Sequence, residues 1–405
     1  MREMKDSGVE WLGEVPAEWG FDRLGGFFSL RSEKVSDEDY APLSVTKGGV
    51  VPQLSHVAKS DDHANRKLVC KGDFAINSRS DRRNSCGFAS QDGSVSLINT
   101  ICVPRGEIES RYFGYLFDSS QWSDEFYSWG HGIVADLWTT GWNDMKKILL
   151  PVPPLHEQRH IADFLDEKCA EIDRAVSAAE RSVQEYVVYK KGLVTEAVRR
   201  AGGKEVRLRH LCSRVFDGPF GSHLKSADYI DEGIRVVRLE NLRYMSFDDS
   251  KRSYVSQEKY ETIARHTVMP TDLIMATFVA KEVQVASLPK EVQFAVNKAD
   301  CVGLRLKSGV CVNRYVQYAL SSNVVLDYLR SNLHGTTRDR VNTSQIKEIP
   351  LAVPSLDEQL RIADFLDEKC VQIDAAIAAK QAIIADLKAY KQSLIYEVVT
   401  GKREV

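Results

Sequence analysis

Residues 153–173 read PPLHEQRHIADFLDEKCAEID, and residues 354–374 read PSLDEQLRIADFLDEKCVQID. The offset, from Pro153 to Pro354, is 201 residues, and nine consecutive residues, Ile161 to Cys169, recur as Ile362 to Cys370. The match runs on without a gap: Tyr189-Lys190 pairs with Tyr390-Lys391, Leu193 with Leu394 and Glu196 with Glu397. Chance does not produce this, so the 405-residue chain is two tandem units of about 200 residues each.

Each copy reads as a long helix. The extended segments LLPVPP and IPLAVP precede them, and neither can continue a helix. The second copy opens on Ser355-Leu-Asp-Glu358, the spacing of a capping box. Gly202-Gly203 ends the first and Gly401 the second. In the first helix the apolar seam is Leu165, Cys169, Ile172, Val176, Ala179, Val183, Tyr186, Lys190, Leu193 and Ala197. In the second it is Leu366, Cys370, Ile373, Ile377, Lys380, Ile384, Leu387, Lys391, Leu394 and Val398. Steps of four and three alternate, which is the seam of a coiled coil. A helix with one apolar stripe needs a partner, and the obvious one is its own copy. Packing on the globular parts is the alternative. Lys190 and Lys391 fall at matched seam positions, where they either fix register or mark fraying ends. The acid pairs Asp166-Glu167 and Asp367-Glu368 suit the helix dipole.

Between the repeats the sequences differ but the patterns correspond. Residues 20–150 and 205–350 each mix short β-branched runs with turns, then a helix-like stretch, then a His-Gly turn (His131-Gly132, His334-Gly335) and a short polar helix. These are mixed α/β domains. The expected boundaries are 1–152 for the first domain, 153–202 for the first long helix, 203–352 for the second domain and 353–405 for the second helix.

Charge points to where a polyanion would bind. The chain carries −3 overall, but residues 1–150 hold 17 Lys+Arg against 22 Asp+Glu, and residues 203–350 hold 22 against 17. Nucleic acid would therefore bind through local patches, with a partner's help. The first candidate is GDFAINSRSDRRNSCG, which gathers Arg79, Arg82, Arg83 and Asn84; Lys47 is a further candidate in the same domain. Arg and Asn read guanine and adenine edges bidentately, and Lys, Arg and hydroxyls hold phosphates. In the second domain TDLIMATFVAKEVQV offers Thr277 and Lys281, HGTTRDR offers Thr336, Thr337, Arg338 and Arg340, and the Gly-rich turn DGPFGSHLK offers Ser222 and Lys225. Any one of these alone reads first as a solvated surface group; the case for the first segment rests on three Arg and an Asn within six residues.

Little points to catalysis. The only Pro-Pro, Pro153-Pro154, lacks the Asn/Asp and aromatic neighbours of an amino-methyltransferase motif, and the only Glu-x-Lys, Glu3-Met4-Lys5, has no acid before it. No Walker loop and no His-Glu-x-x-His is present. The eight cysteines form no Cys-x-x-Cys pair, so no structural metal is expected. The N-terminus is charged and no apolar run reaches the roughly 18 residues of a membrane span, so a cytoplasmic protein is expected.

These features together resemble the specificity subunits of type I restriction–modification enzymes. The doubled PPLHEQRHIADFLDEK and PSLDEQLRIADFLDEK carry the resemblance, supported by the opening SGVEWLGEVPAEW and by GPFGSHLK. The first unit has no GPFGS-like segment. The resemblance implies two α/β target-recognition domains separated by an antiparallel two-helix coiled coil, each domain reading half of an asymmetric, bipartite site in double-stranded DNA. It implies two methyltransferase subunits and an endonuclease/translocase subunit as partners, with S-adenosylmethionine, ATP and Mg²⁺ held by those partners and no cofactor on this chain. A helix of about 44 residues spans roughly 65 Å, or about 19 base pairs of B-DNA, the right order for two domains and a spacer. The alternative is a coiled-coil scaffold that binds no DNA.

Overall fold

The computed structural model describes residues 2–54, 63–133, 138–279, 281–332 and 340–405. The duplication organises it. One compact unit comprises residues 1–180 with 382–405, and the other residues 181–381.

The two long helices are Leu155–Arg200 and Leu356–Val399, and both units contain a stretch of each. The proline segments before them form the strands Leu149–Val152 and Pro350–Val353. Each pairs with one antiparallel neighbour, Gly20–Arg23 and Lys204–Arg207 respectively. Two-stranded ribbons tolerate the missing proline N–H groups because half of each strand's donors face outward anyway. The capping box at Ser355 is half formed: its hydroxyl accepts the Glu358 N–H at 3.3 Å, while the Glu358 carboxylate turns to Arg361.

Each unit is built around an antiparallel four-stranded sheet of the same order. In the first it runs Cys86–Phe88, Phe74–Asn77, Asn99–Pro104, Phe28–Arg31. In the second it runs Val285–Ser287, Leu273–Ala276, Cys301–Leu306, Cys212–Phe216. Helix pairs follow in both, Ser110–Asp118 with Ser120–Ser128 and Asn313–Ser321 with Asn323–Ser331. A second sheet also corresponds. Gly93–Val95 pairs with Arg66–Val69 as Ala295–Asn297 pairs with Thr267–Val268. On its other side lies a parallel neighbour, a single bridge from Pro42 to Ser94 in the first unit and the strand Ile234–Val237 in the second. The duplication therefore reaches into the segments that share no obvious sequence.

The matched cores differ in chemistry. The first is aromatic: Trp19, Phe28, Phe74, Tyr112, Phe113, Phe117, Trp122 and Phe126 are almost fully buried, and Phe74 and Phe117 approach to 4.5 Å between ring centres. The second is largely aliphatic, with Tyr315 its largest fully buried side chain. Burial costs the thiols their acidity: Cys86, Cys212 and Cys301 are each pushed up to about 12, so they are packing groups.

The seam positions range from buried to half-buried. Leu165, Ile172 and Val176 join the first core together with Leu394, with Ile384 packed partly buried against it. Val183, Leu366 and Ile373 are buried, Leu193 packs partly buried against the second core, and Ile377 is half-buried. The two matched seam lysines make cross-helix ion pairs, Lys391 with Asp173 in the first unit and Lys190 with Asp374 in the second, each at 2.7 Å. The two pairs are copies of one another under the sequence offset. With Lys388–Glu180 at 2.9 Å in the first unit, they show the helices running antiparallel. The matched lysines are thus paired across the helices, within helical stretches that continue past them. Lys391→Asp is expected to cost about 0.5–1 kcal/mol, because the aspartates are largely solvated and the pair is screened. The added Asp173→Lys should recover most of it. Urea titrations of both single variants and the double would check this, and additive losses would contradict it.

The repeated motif also locks each domain to its helix. Gln158 is buried, accepts the Glu109 N–H at 3.1 Å and donates to the Pro153 carbonyl at 2.9 Å. Gln359 does the same with Val312 and Pro354, at 2.8 and 2.9 Å. Arg111 reaches Asp163 and Asp166 at 2.8 and 2.7 Å, and the Tyr115 hydroxyl donates to Asp166 at 2.7 Å. In the second unit Arg314 pairs with Asp364 and Asp367, and Tyr318 donates to Asp367. Burial, reinforced by the accepting carboxylate, pushes both phenols far up. This corrects the helix-dipole role expected of Asp166 and Asp367: both lie well beyond the first turn, where the dipole has faded, and serve domain docking instead.

The chain ends where it begins. Gly401, at φ +71°, presses on Pro16 and Trp19, and an added Cβ would lie 2.4 Å from the proline ring. Tyr396 and Lys402 donate to the carbonyls of Trp11 and Leu12, at 2.8 and 2.5 Å, and Tyr112 donates to that of Val399 at 2.9 Å. The second unit needs no such clasp, because the first helix runs through Gly202-Gly203 directly into Lys204–Arg207.

Candidate nucleic-acid interface

Corresponding connections build a polar groove in each unit. One connection links the first two strands of the four-stranded sheet, residues 78–85 or 277–284. The other leads from the small sheet into its long strand, residues 96–98 or 298–300. The third wall follows the parallel neighbour: the hairpin Leu43–Thr46 with Gly49–Pro52 in the first unit, residues 238–243 in the second.

The first groove has a volume of about 920 Å³ and brings together Lys47, Arg79 and Arg82, with Asn77 and Asn99 along its floor. Lys47 is exposed at the hairpin tip, where Thr46 accepts the Gly48 N–H at 3.1 Å and Gly49 takes φ +95°. The hairpin rests on Gly87: a Cβ there would lie 2.8 Å from the Gly49 Cα. Arg79 opens a short 3-10 turn, Ser80–Arg82, and its backbone bridges to Thr139. Arg82 is exposed, with Asp81 at 3.5 Å.

Other predicted residues hold structure. Arg83 pairs with Asp124 at 2.6 Å and lies over the Tyr127 ring. Asn84 occupies the left-handed region at φ +60°, and its amide donates to the Asp118 carbonyl at 3.3 Å. Both therefore brace the turn against the helix pair and do not line the groove. Arg66, not singled out from sequence, does line it but is buried and spent on Ser94.

The second groove, about 440 Å³, is lined by Arg238, Glu240, Arg243, Gln284, Lys298 and Asp300. None of the six stands out in the sequence; their only signal is position beside matched strands, and that becomes visible once the strands are paired. Arg340 reaches this site indirectly: it pairs with Asp300 at 2.9 Å, lies over Phe278, and bridges to it as Thr139 bridges to Arg79 in the first unit. Thr277 is buried beneath the groove, donating its N–H to the Asp300 carbonyl at 3.0 Å and accepting that of Val341 at 2.8 Å. Lys281 is exposed in the 277–284 connection. Lys225 is exposed away from the groove, and its N–H donates to Asp228 at 2.6 Å. Thr336, Thr337 and Arg338, with the turn at His334-Gly335, lie outside the described residues, as does the side chain of Ser222.

The GPFG segment buttresses this groove. A Cβ on Gly218 would meet the Lys298 carbonyl carbon at 2.2 Å and the Asn297 oxygen at 2.3 Å, so only glycine allows the close approach. The preceding Asp217 carbonyl accepts from Nδ1 of the buried His266 at 2.6 Å. Burial holds that imidazole below its usual range, and the neighbouring Arg265 and Arg214 add to the effect. A depressed histidine costs nothing while neutral. Below about pH 6.5 the unfolded chain takes a proton that the folded one refuses, so stability falls as pH drops from there toward the folded value. Urea unfolding across this range should show a shallower acid loss for His266→Gln than for the parent, and equal slopes would contradict the assignment.

Among the described residues, no group of three or more His, Cys, Asp or Glu is placed to hold a metal ion, and no helix is long and apolar enough to cross a membrane.

Residues 271–389 match the family model described as the type I restriction modification DNA specificity domain. The chain is similar to the MjaVIII specificity subunit of Methanocaldococcus jannaschii, 19% identical over 64% of this chain and 63% of that protein. It is 20% identical to the EcoBI specificity subunit of Escherichia coli, over 64% of this chain and 59% of that one. It is 24% identical to the StySPI specificity subunit of Salmonella potsdam, over 42% and 37%. The matches thus span less than two thirds of these relatives' own length. Its fold is that of a chain solved in work on complex assembly and conformational transition of the type I R-M system, with a TM-score of 0.71, 17% identity and coverage of 96% and 99%. The HsdS subunit from Thermoanaerobacter tengcongensis follows at 0.50, with 18% identity and coverage of 96% and 98%. The match to that domain thus falls in the second half of the chain, and over longer stretches the chain is similar to specificity subunits of type I restriction enzymes.

Proposed function

We propose that the chain reads an asymmetric, two-part site in double-stranded DNA and presents it to partner subunits that methylate or cleave. The observation that carries this is the pair of topologically matched grooves lined by different side chains: Lys47, Arg79 and Arg82 in one, Arg238, Gln284 and Lys298 in the other. Matched position gives each unit one half-site, and different linings make the halves differ in sequence. The two long helices, common to both units, set the unread gap. Their duplicated faces suit two copies of a methyltransferase, with an endonuclease/translocase joining them. S-adenosylmethionine, ATP and Mg²⁺ belong to those subunits, and this chain does no chemistry of its own. A scaffold without DNA reading would leave the two cation-lined grooves without a use.

The test is selection from a randomised duplex library by the chain together with its methyltransferase. A two-part consensus is expected. Arg79→Ala with Arg82→Ala should relax one half only, by roughly 10-fold or more at the affected positions. Recovery of no consensus would exclude the proposal.

A further inference from the structure

The second groove has a polarity that separates base contacts from phosphate contacts. Arg238 and Lys298 flank one ring: the guanidinium and the ammonium each lie 5.5 Å from the centre of Tyr229. The ring holds both cations at the groove without neutralising either. They differ in their carboxylate neighbours. Glu240 pairs with Arg238 at 2.9 Å and also lies 3.6 Å from Lys251. Asp300 plays the same part for Arg340 on the opposite wall. A phosphate brought to either guanidinium would be repelled by the adjacent carboxylate as a like charge, whereas a neutral base edge carries no net charge to be repelled. Gln284 shares the groove and offers a donor and an acceptor on one planar group. Lys298 is carried by the turn that Gly218 supports, so its position is set by backbone packing.

We infer that Arg238 and Gln284 read base edges in the second half-site, while Lys298 grips the adjacent phosphate. This rests on the two-part DNA reading proposed above and assigns residues within it. A guanidinium matches the paired acceptors of guanine, and a carboxamide the donor–acceptor pair of adenine. An ammonium is a point charge that suits phosphate and carries no comparable sequence information.

The experiment is duplex selection with the full chain and its methyltransferase, comparing the parent with Arg238→Ala, Gln284→Ala and Lys298→Ala. Arg238→Ala and Gln284→Ala should each lose roughly 10- to 100-fold preference at one position of one half-site, leaving the other half intact. Lys298→Ala should bind all selected sequences more weakly, keep the consensus, and show a salt dependence reduced by about one phosphate. Urea unfolding followed by hydrogen exchange on the second unit reports that each variant is folded, and Arg238→Lys, which keeps the charge but loses the fork, should also relax its position. An unchanged consensus in the Arg238 and Gln284 variants, or uniform weakening in place of relaxation, would overturn the inference while leaving the two-part reading standing. A parent chain that selects no sequence would remove both.

Discussion

Asp272→Ala is expected to destabilise the second unit by about 3 kcal/mol, enough to unfold it at moderate urea concentrations that the parent survives. The carboxylate is fully buried at the start of Leu273–Ala276, the strand that leads into the 277–284 connection. It takes both Nε and Nη2 of Arg305 from the next strand, at 2.9 and 2.7 Å, and the Met269 N–H at 2.9 Å. Removing it strands a backbone donor and leaves the guanidinium without its counterion. Arg305 is about a third exposed and recovers some hydration, which holds the loss near the lower end for a broken buried pair. Asp73 plays the same part in the first unit with Arg31 and the Cys70 N–H, although its arginine comes from a different strand. Asp73→Ala should therefore act on the first unit alone. Unfolding followed by hydrogen exchange on each unit would check both, and a loss below about 1 kcal/mol would contradict the assigned pairs.

Gly218→Ala is expected to impair the second groove. The contacts at 2.2 and 2.3 Å are to backbone atoms of Asn297 and Lys298, so no side-chain rotation relieves them. The turn must move, and overpacking of this kind costs about 1–3 kcal/mol. It carries Lys298 with it, and binding should weaken through the second half-site while the first stays as in the parent. Duplex selection and urea unfolding of Gly218→Ala check the two parts. Unchanged stability and unchanged binding would show that the GPFG segment supports nothing.

Much of the frame was legible in the sequence because it is local or repeated. The 201-residue offset, the seam from Leu165 to Val183 and the proline-led strands each need only neighbours along the chain. The docking of Asp166 and Asp367 was not legible, because the arginine and tyrosine that use them lie about 50 residues away. The grooves were half legible for the same reason. Lys47, Arg79 and Arg82 stood out by composition. Arg83 and Asn84 stood out equally, and only the position of Asp124 and the left-handed turn at Asn84 separate them. Thr277 looked like a loop hydroxyl and is buried, because the chain doubles back over it through Val341. Arg238, Gln284 and Lys298 are scattered over 61 positions and meet only when the strands beside them pair.

The central claim is that two different grooves on a duplicated frame read one two-part site. Its most direct measurement is methylome sequencing of cells that express this chain with its methyltransferase, compared with cells that express the methyltransferase alone. The account predicts one new modified motif made of two unlike halves with a fixed unread gap, present only when this chain is present. No chain-dependent motif, or a single uninterrupted one, would contradict it.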